Sequence, residues 1–234
     1  MQTISLTQLN TITSDPASFQ KFDDDFSNSI RAIAKSIQKN ANEKPIILLS
    51  GPSGSGKITT AYWLERFLDG WDITTHTVSM DNFFRTMTPE QKILAADGKL
   101  DLESPNRVDI PYLNQQLHKI ISDEPTWIPK YHFSTAMRND HDWLLTRKPR
   151  ELLILEGIHA LNSDVITIPD HQTHRIYVST RTRIVHNDIT LHPSRLRLLR
   201  RMIRDQKFRQ RSILETLAMF QHVEAGGKKE YTSV

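Results

Sequence analysis

The sequence predicts an α/β fold in which a parallel sheet is covered by helices on both faces. Four short runs that resemble strands, the first of them apolar throughout most of its length, alternate with stretches of helical periodicity, a pattern that favours parallel strands joined by helical crossovers. A glycine-rich loop separates the first run from the helix after it. The chain has 234 residues and no cysteine, so it can bury a sizeable core without disulfide bonds.

The elements up to this loop can be placed in order. Apolar residues recur at spacings of three and four over residues 20–41, which predicts an amphipathic helix. The run PIILLS (45–50) is short and branched, as in a buried parallel strand. The segment ITTAYWLERFL (58–68) predicts a helix that closes at Asp69 and Gly70. The loop therefore lies between a strand and a helix.

The later elements repeat this order. THTVSM (75–80), ELLILEG (151–157) and HRIYVS (174–179) are predicted strands, and helices are expected at about 112–122 and 194–210. We expect a hairpin within residues 125–147. In a parallel sheet with right-handed crossovers, the carboxyl ends of the strands meet at one edge. The loop, Asp81 and Glu156 should therefore share one crevice.

Composition narrows the possible partners. The formal net charge is only +3, which is weak support for a nucleic-acid binder. The chain has no apolar stretch of about 18 residues, and its start lacks the basic and apolar regions of a secretory signal. We therefore expect a cytoplasmic protein with a small-molecule partner and no membrane partner, and we do not expect a nucleic-acid partner. The sequence leaves a homo-oligomer open.

The loop SGPSGSGKITT (50–60) follows the pattern G-x-x-x-x-G-K of a phosphate-binding loop. Glycines let backbone amides turn inward around phosphate oxygens, the helix N-terminus adds partial positive charge, and the lysine reaches the β- and γ-phosphates. The alternative is a flexible glycine turn. The predicted nucleotide-binding residues are Gly51, Ser53, Gly54, Ser55, Gly56, Lys57, Ile58 and Thr59.

The loop departs from the pattern immediately after the lysine. A serine or threonine normally offers Mg²⁺ a hydroxyl there, whereas this chain has Ile58. The side chain of Thr59 should point elsewhere, because each helical step rotates the direction by about 100°. Water could fill the position. We expect magnesium binding weakened about 10–100-fold, with nucleotide binding retained.

Six segments together resemble the uridine kinase branch of the phosphoribulokinase/uridine kinase family of P-loop kinases. They cover most of residues 44–212 in order: ILLSGPSGSGKITTA, VSMDNFF, DGKLDLESPNRVDI, IPKYHFSTAMR, LLILEGIHALN and RLLRRMIRDQKFRQRS. The resemblance implies a P-loop kinase fold and transfer of the γ-phosphoryl group of ATP, with Mg²⁺, to the 5′-hydroxyl of a nucleoside.

The catalytic candidates come from the residues and the resemblance together. Asp81, at a strand end beside the loop, is placed to accept a proton from the acceptor hydroxyl, although an aspartate there can also be a turn residue. Glu156 could hold magnesium or be a solvated strand terminus. Arginines at 195–211 could be a solvated face, a nucleic-acid stripe or a lid over the triphosphate, and the resemblance favours the lid. Arg201 and Arg197 are its predicted phosphate or substrate contacts.

On the acceptor side, the resemblance points to Glu103 near the ribose and to Tyr131 and Phe133 beside the base. Core packing is the alternative for the two rings. Some family members read the base with a histidine shortly after the tyrosine, where this chain has Ala136. The acceptor could therefore differ within the family, and a sugar phosphate or pantothenate stays open.

We predict an N-terminal extension at 1–43 and a kinase domain at 44–234, with an acceptor-binding insertion at 82–150 and a lid at 194–212. Family members continue with a further strand and helix, whereas this chain stops at EAGGKKEYTSV. Together with Ile58, this leads us to expect impaired catalysis. The alternative is a non-catalytic protein that binds nucleotides.

Overall fold

The computed structural model describes residues 2–97, 99–208, 212–217 and 220. The predicted lid (194–212) includes residues 209–211, which lie outside the described residues. In chain order the helices and strands are β1 Gln2–Ser5, α1 Leu6–Ser14, α2 Pro16–Lys39, β2 Ile46–Ser50, α3 Lys57–Asp69, β3 Thr75–Ser79, α4 Pro89–Ala96, α5 Ile110–Ile121, β4 Thr126–His132, β5 Met137–Leu145, β6 Leu152–Glu156, β7 Thr173–Tyr177, β8 Thr182–His186, β9 Ile189–Leu191 and α6 Pro193–Phe208.

A central parallel sheet carries the fold, with the strand order β3-β6-β2-β7. These are the four predicted strands, so the predicted α/β fold class is confirmed. The two inner strands, β2 and β6, are buried along almost their whole length, as expected for apolar strands covered on both faces. Because Glu156 pairs with both Leu49 and Ser79, the carboxyl ends of three strands are level with one another.

Helices cover both faces of this sheet. On one face, Ile30, Ala34 and Ile37 of α2 join buried residues of α3, β2 and β6 in one apolar cluster. On the other face, Leu113 and Leu117 of α5 pack against β2, β3 and β6. Since α5 lies within residues 82–150, part of that segment contributes directly to the core of the sheet.

Local signals explain where α2 begins. The side chain of Asp15 accepts hydrogen bonds from the backbone amides of Ala17 and Ser18, and Pro16 occupies the first helical turn. An aspartate cap followed by proline is a strong helix start. The helix therefore begins four residues before the predicted residue 20.

A second sheet and two helices, α1 and α4, were not anticipated from the sequence. Strand β1 pairs in parallel with β8, and β8 pairs antiparallel with β9. The short helix α4 begins at a capping box formed by Thr88 and Gln91. The predicted hairpin is confirmed as β4 and β5. No helix among the described residues is long and apolar enough to cross a membrane.

Candidate active site

The glycine-rich loop bends sharply between β2 and α3. Gly54 and Gly56 have φ angles of +78° and +109°, which side chains with a Cβ rarely adopt. Gly56 is also the N-cap of α3, so the first amides of the helix face the loop. Backbone amides in such a bend form a nest for an anion.

Two side chains in the loop fit a polyphosphate. The Oγ atom of Ser55 is buried and makes no hydrogen bond with any described residue, which suits a hydroxyl whose partner is a ligand oxygen. The ammonium group of Lys57 donates to the carbonyl of Gly51 at 2.8 Å. Burial lowers the pKa of Lys57, whereas the charges of Glu156, Asp81 and Glu103 raise it. The loop therefore holds a lysine close to three acids.

These acids are the ones singled out in the sequence. Asp81 lies in the single helical turn Met80–Phe83 directly after β3, and Glu156 ends β6. Glu103 comes from the segment before α5. Burial raises the pKa of Glu103 to about 7, although the positive charges of Arg201 and Lys57 oppose the shift. The structure thus brings the loop lysine and all three predicted acids to the carboxyl edge of the sheet.

Ile58 lies on the surface at the start of α3, with 66% of its area exposed. Its neighbour Thr59 is also exposed, whereas Thr60 is buried. Within the described part of the chain, no group of three or more acidic, histidine or cysteine residues could hold a metal ion. The loop residues therefore fit a polyphosphate, whereas a site for Mg²⁺ lacks the side-chain hydroxyl at position 58 and would depend on Glu156, Asp81 and water.

Helix α6 lies against the glycine-rich loop through its arginines. Arg197 donates to the carbonyl of Ser53 at 3.3 Å, and Arg200 donates to that of Ser55 at 3.5 Å. The opposite face carries Leu199 and Ile203, which are 42% and 55% exposed. Helix α6 therefore buries Arg201 and partly buries Arg197. It leaves Leu199 and Ile203 largely in solvent, which differs from an ordinary amphipathic surface helix.

Arg201 links the helix to the acceptor side. It is 5% exposed, and its guanidinium lies 3.6 Å from Glu103 and 3.4 Å from Asp205. Arg204 also contacts Asp205, at 2.9 Å. Asp205, with no exposed side-chain area, was missed in the sequence; its spacing of four residues from Arg201 was the available signal.

The predicted acceptor residues lie in an aromatic cluster. Tyr131 is 5% exposed and Phe133 is 61% exposed, and their ring centroids are 5.2 Å apart. The hydroxyl of Tyr131 accepts a hydrogen bond from Arg107 at 3.1 Å, and this guanidinium also lies over the ring of Phe84. Tyr131 is thus mainly a packed residue, whereas the ring of Phe133 is available. Nothing in the sequence distinguished Arg107 from a surface arginine.

Substituting Gly54 tests the contact between the loop and α6. A Cβ atom there would lie 2.7 Å from the carbonyl oxygen of Arg197, at a φ of +78°. We expect Gly54→Ala to lower the free energy of unfolding by about 1–3 kcal/mol, measured by urea denaturation. Gly70→Ala is the control, since Gly70 has a φ of −64°; equal losses in both variants would contradict a strained contact at Gly54.

A glycine-rich loop that joins a strand to a helix, with its lysine beside acids at the sheet edge, defines a P-loop nucleotide-binding protein. The described fold fits this class throughout its central sheet. The chain belongs to the phosphoribulokinase/uridine kinase family, whose sequence profile matches residues 46–231.

The relatives found by sequence are named as kinases. The chain is 31% identical to the uridine kinase of Lactobacillus helveticus over 175 residues, which is 73% of this chain and 72% of that protein. It is 28% identical to uridine-cytidine kinase 2-B of Danio rerio, over 77% of this chain and 66% of that one.

Solved structures support the fold. A protein from Silicibacter, provisionally assigned as a fructose transport system kinase, has a TM-score of 0.57 at 16% identity and covers 84% of this chain and 94% of its own. A possible uridine kinase from Bacillus stearothermophilus has a TM-score of 0.50 at 17% identity, with 65% and 80% covered.

Proposed function

We propose that the protein is an ATP-dependent nucleoside kinase of the uridine/cytidine type. The observation that carries this proposal is the meeting of Lys57, Asp81 and Glu103 beside a loop that fits a polyphosphate. The names of the relatives, uridine kinase and uridine-cytidine kinase, suggest the acceptor. A cytoplasmic location is part of the same proposal.

The reaction needs an anion cradle, a base and a binding site for the alcohol. The amides of the loop and Lys57 bind the β- and γ-phosphates of ATP. Asp81 accepts the proton of the 5′-hydroxyl as the oxygen attacks the γ-phosphorus. The bond from that phosphorus to the β,γ-bridging oxygen breaks, and ADP leaves with the electron pair. The products are the nucleoside 5′-phosphate, ADP and a proton.

The remaining predicted residues take supporting roles. Arg201 and Arg197 face the growing negative charge on the transferred group, where buried guanidinium donors are effective. Mg²⁺, when bound beside Glu156, supplies charge neutralisation of the phosphates. Glu103 accepts hydrogen bonds from the ribose, and the exposed ring of Phe133 offers a face to the base.

The direct test is a coupled assay that follows ADP release with ATP, Mg²⁺ and a panel of acceptors. The panel contains uridine, cytidine, other nucleosides, pantothenate, fructose and a sugar phosphate. We expect uridine or cytidine to give the highest kcat/KM. If only a non-nucleoside is phosphorylated, the protein is a kinase with a different acceptor. If turnover does not exceed that of an Asp81→Asn control, the proposed catalytic activity is wrong.

The exposed side chain of Ile58 favours one second candidate, a relative that binds nucleotides without transferring phosphate. It predicts that ATP raises the melting temperature while no acceptor on the panel is phosphorylated. Calorimetry with ADP separates both candidates from a protein without a nucleotide site, which would release no heat.

The pKa of Glu103 predicts a pH dependence. Because burial places it at about 7, the carboxyl is mostly protonated one unit below that value and mostly ionised one unit above. An ionised carboxylate accepts stronger hydrogen bonds from the ribose. We expect kcat/KM for the acceptor to rise about tenfold across this interval, measured in a constant-ionic-strength buffer series. The Glu103→Gln variant should not show this rise in kcat/KM. If its pH profile equals that of the parent, the rise belongs to another titrating group.

A further inference from the structure

The loop that follows β6 is attached to the strand that carries the phosphate loop. The amide of Gly157 donates to the carbonyl of Leu49 at 3.1 Å, and the hydroxyl of Ser50 donates to the carbonyl of Ile158 at 2.8 Å. A Cβ atom on Gly157 would lie 2.5 Å from the side chain of Met80, so this loop also packs against the end of β3. It is therefore a fixed platform at the carboxyl edge of the sheet.

His159 projects from this platform and is 3% exposed. Its Nε2 atom lies 2.7 Å from the main-chain oxygen of Glu103. A carbonyl oxygen can only accept, so Nε2 carries the hydrogen in this contact. The bond joins two segments that are 56 residues apart in the chain. By contrast, the amide of Glu103 bonds locally, to the side chain of Asp101 at 3.0 Å.

The side chain of Glu103 extends from this anchored main chain toward the proposed catalytic residues. It lies 3.6 Å from Arg201, and its pKa responds to the charges of Lys57 and Asp81. The main chain of Glu103 is thus held by the sheet platform while its side chain faces the lid helix and the acceptor. A shift of the main chain by a bond length would move the carboxylate by a similar distance, and acceptor binding is sensitive to such displacements.

We infer that His159 is a positioning residue for the acceptor. It acts by holding the main chain of Glu103 in a fixed position relative to the phosphate loop. The inference rests on the proposed function, because it assigns Glu103 to the acceptor. It goes beyond that function because it assigns a role to His159, which does not touch the substrate. In this role, His159 determines the affinity for the alcohol through Glu103. The alternative is that His159 only fills space next to its buried neighbour in the chain, Ala160.

Two substitutions separate these readings. His159→Gln keeps an Nε2 donor at a similar reach, whereas His159→Leu keeps the volume and removes the donor. We expect the leucine variant to raise the KM for the acceptor about tenfold, with kcat changed less than about threefold and the KM for ATP unchanged. The glutamine variant should stay within about threefold of the parent. If the leucine variant does not fold, His159→Asn, which is too short to reach Glu103, replaces it.

A double-mutant cycle ties the effect to Glu103. In a Glu103→Gln background, His159→Leu should add less than about twofold to the acceptor KM, because the group that His159 places is already altered. The control is His76→Leu. The Nε2 atom of His76 also makes a hydrogen bond, at 3.1 Å from Glu151, but His76 lies near the amino end of β3, away from the carboxyl edge of the sheet. It should leave the acceptor KM unchanged. Equal losses in the leucine and glutamine variants, or additive effects with Glu103→Gln, would overturn the inference.

A failure of the proposed function would be visible separately. If the parent phosphorylates no nucleoside, amide hydrogen exchange of residues 99–107 provides the readout. We expect faster exchange there in His159→Leu and parental exchange in His159→Gln. Identical exchange in the parent and the leucine variant would show that His159 does not hold this segment.

Discussion

Asp81→Asn should reduce kcat about 10²–10⁴-fold and leave the affinity for ADP within about threefold. Asparagine keeps the shape of the side chain but cannot accept the proton of the attacking hydroxyl at neutral pH. The turn that carries Asp81 is held by the buried residues Met80 and Phe83, so the substitution should not move the main chain. Rapid-mix turnover with saturating ATP and acceptor gives kcat, and calorimetry gives the affinity for ADP.

A second aspartate serves as the matched control. Asp164 is an exposed residue on the loops that follow β6, and Asp164→Asn makes the same chemical change away from Lys57. Its kcat should equal that of the parent. If Asp81→Asn retained more than about a tenth of the parental kcat, Asp81 would not be the base, and Glu156 would be the next candidate by its position beside Lys57.

Ile58→Thr should strengthen the binding of Mg²⁺ in the presence of ADP about 10–100-fold. The isoleucine is 66% exposed at the start of α3, so a threonine hydroxyl can be introduced there without opening a cavity. Titration of Mg²⁺ into the ADP complex, followed by calorimetry, measures the change without requiring turnover. In the kinase assay, the concentration of Mg²⁺ needed for half-maximal rate should fall by a similar factor.

Ile93→Thr is the control for this gain. Ile93 is 63% exposed and lies in helix α4, so the substitution makes the same chemical change outside the glycine-rich loop. It should leave Mg²⁺ binding unchanged. If Ile58→Thr behaved in the same way, the position after Lys57 would not face the metal, and Thr59→Val would then test whether the neighbouring hydroxyl does.

The central sheet was predictable because each of its strands can be recognised from a short stretch of the sequence. The runs that became β2 and β6 are apolar at nearly every position and buried on both sides, so period and length alone identify them. Their carboxyl ends then place Asp81 and Glu156 by topology. Glu103, Tyr131 and Phe133 depended on family resemblance, since nothing in their local pattern indicates a site.

The remainder depended on contacts between distant segments. Strand β1 has four residues and is stabilised by pairing with β8, which no short window of sequence reveals. The burial of Arg201 against Glu103 and Asp205 reverses the usual rule that charged residues of a helix face water. His159 looked like part of a family motif, and only the 2.7 Å contact with Glu103 gives it a physical task.

The arginines of α6 already have hydrogen-bond acceptors inside the protein, because Arg197 and Arg200 donate to the carbonyls of Ser53 and Ser55. Under the proposed function, a triphosphate that docks in the loop draws these guanidinium groups onto its oxygens, so each hydrogen bond formed replaces one broken. The affinity for ATP would then be a difference between two sets of bonds, and weakening the arginine–carbonyl bonds without changing the loop should strengthen nucleotide binding.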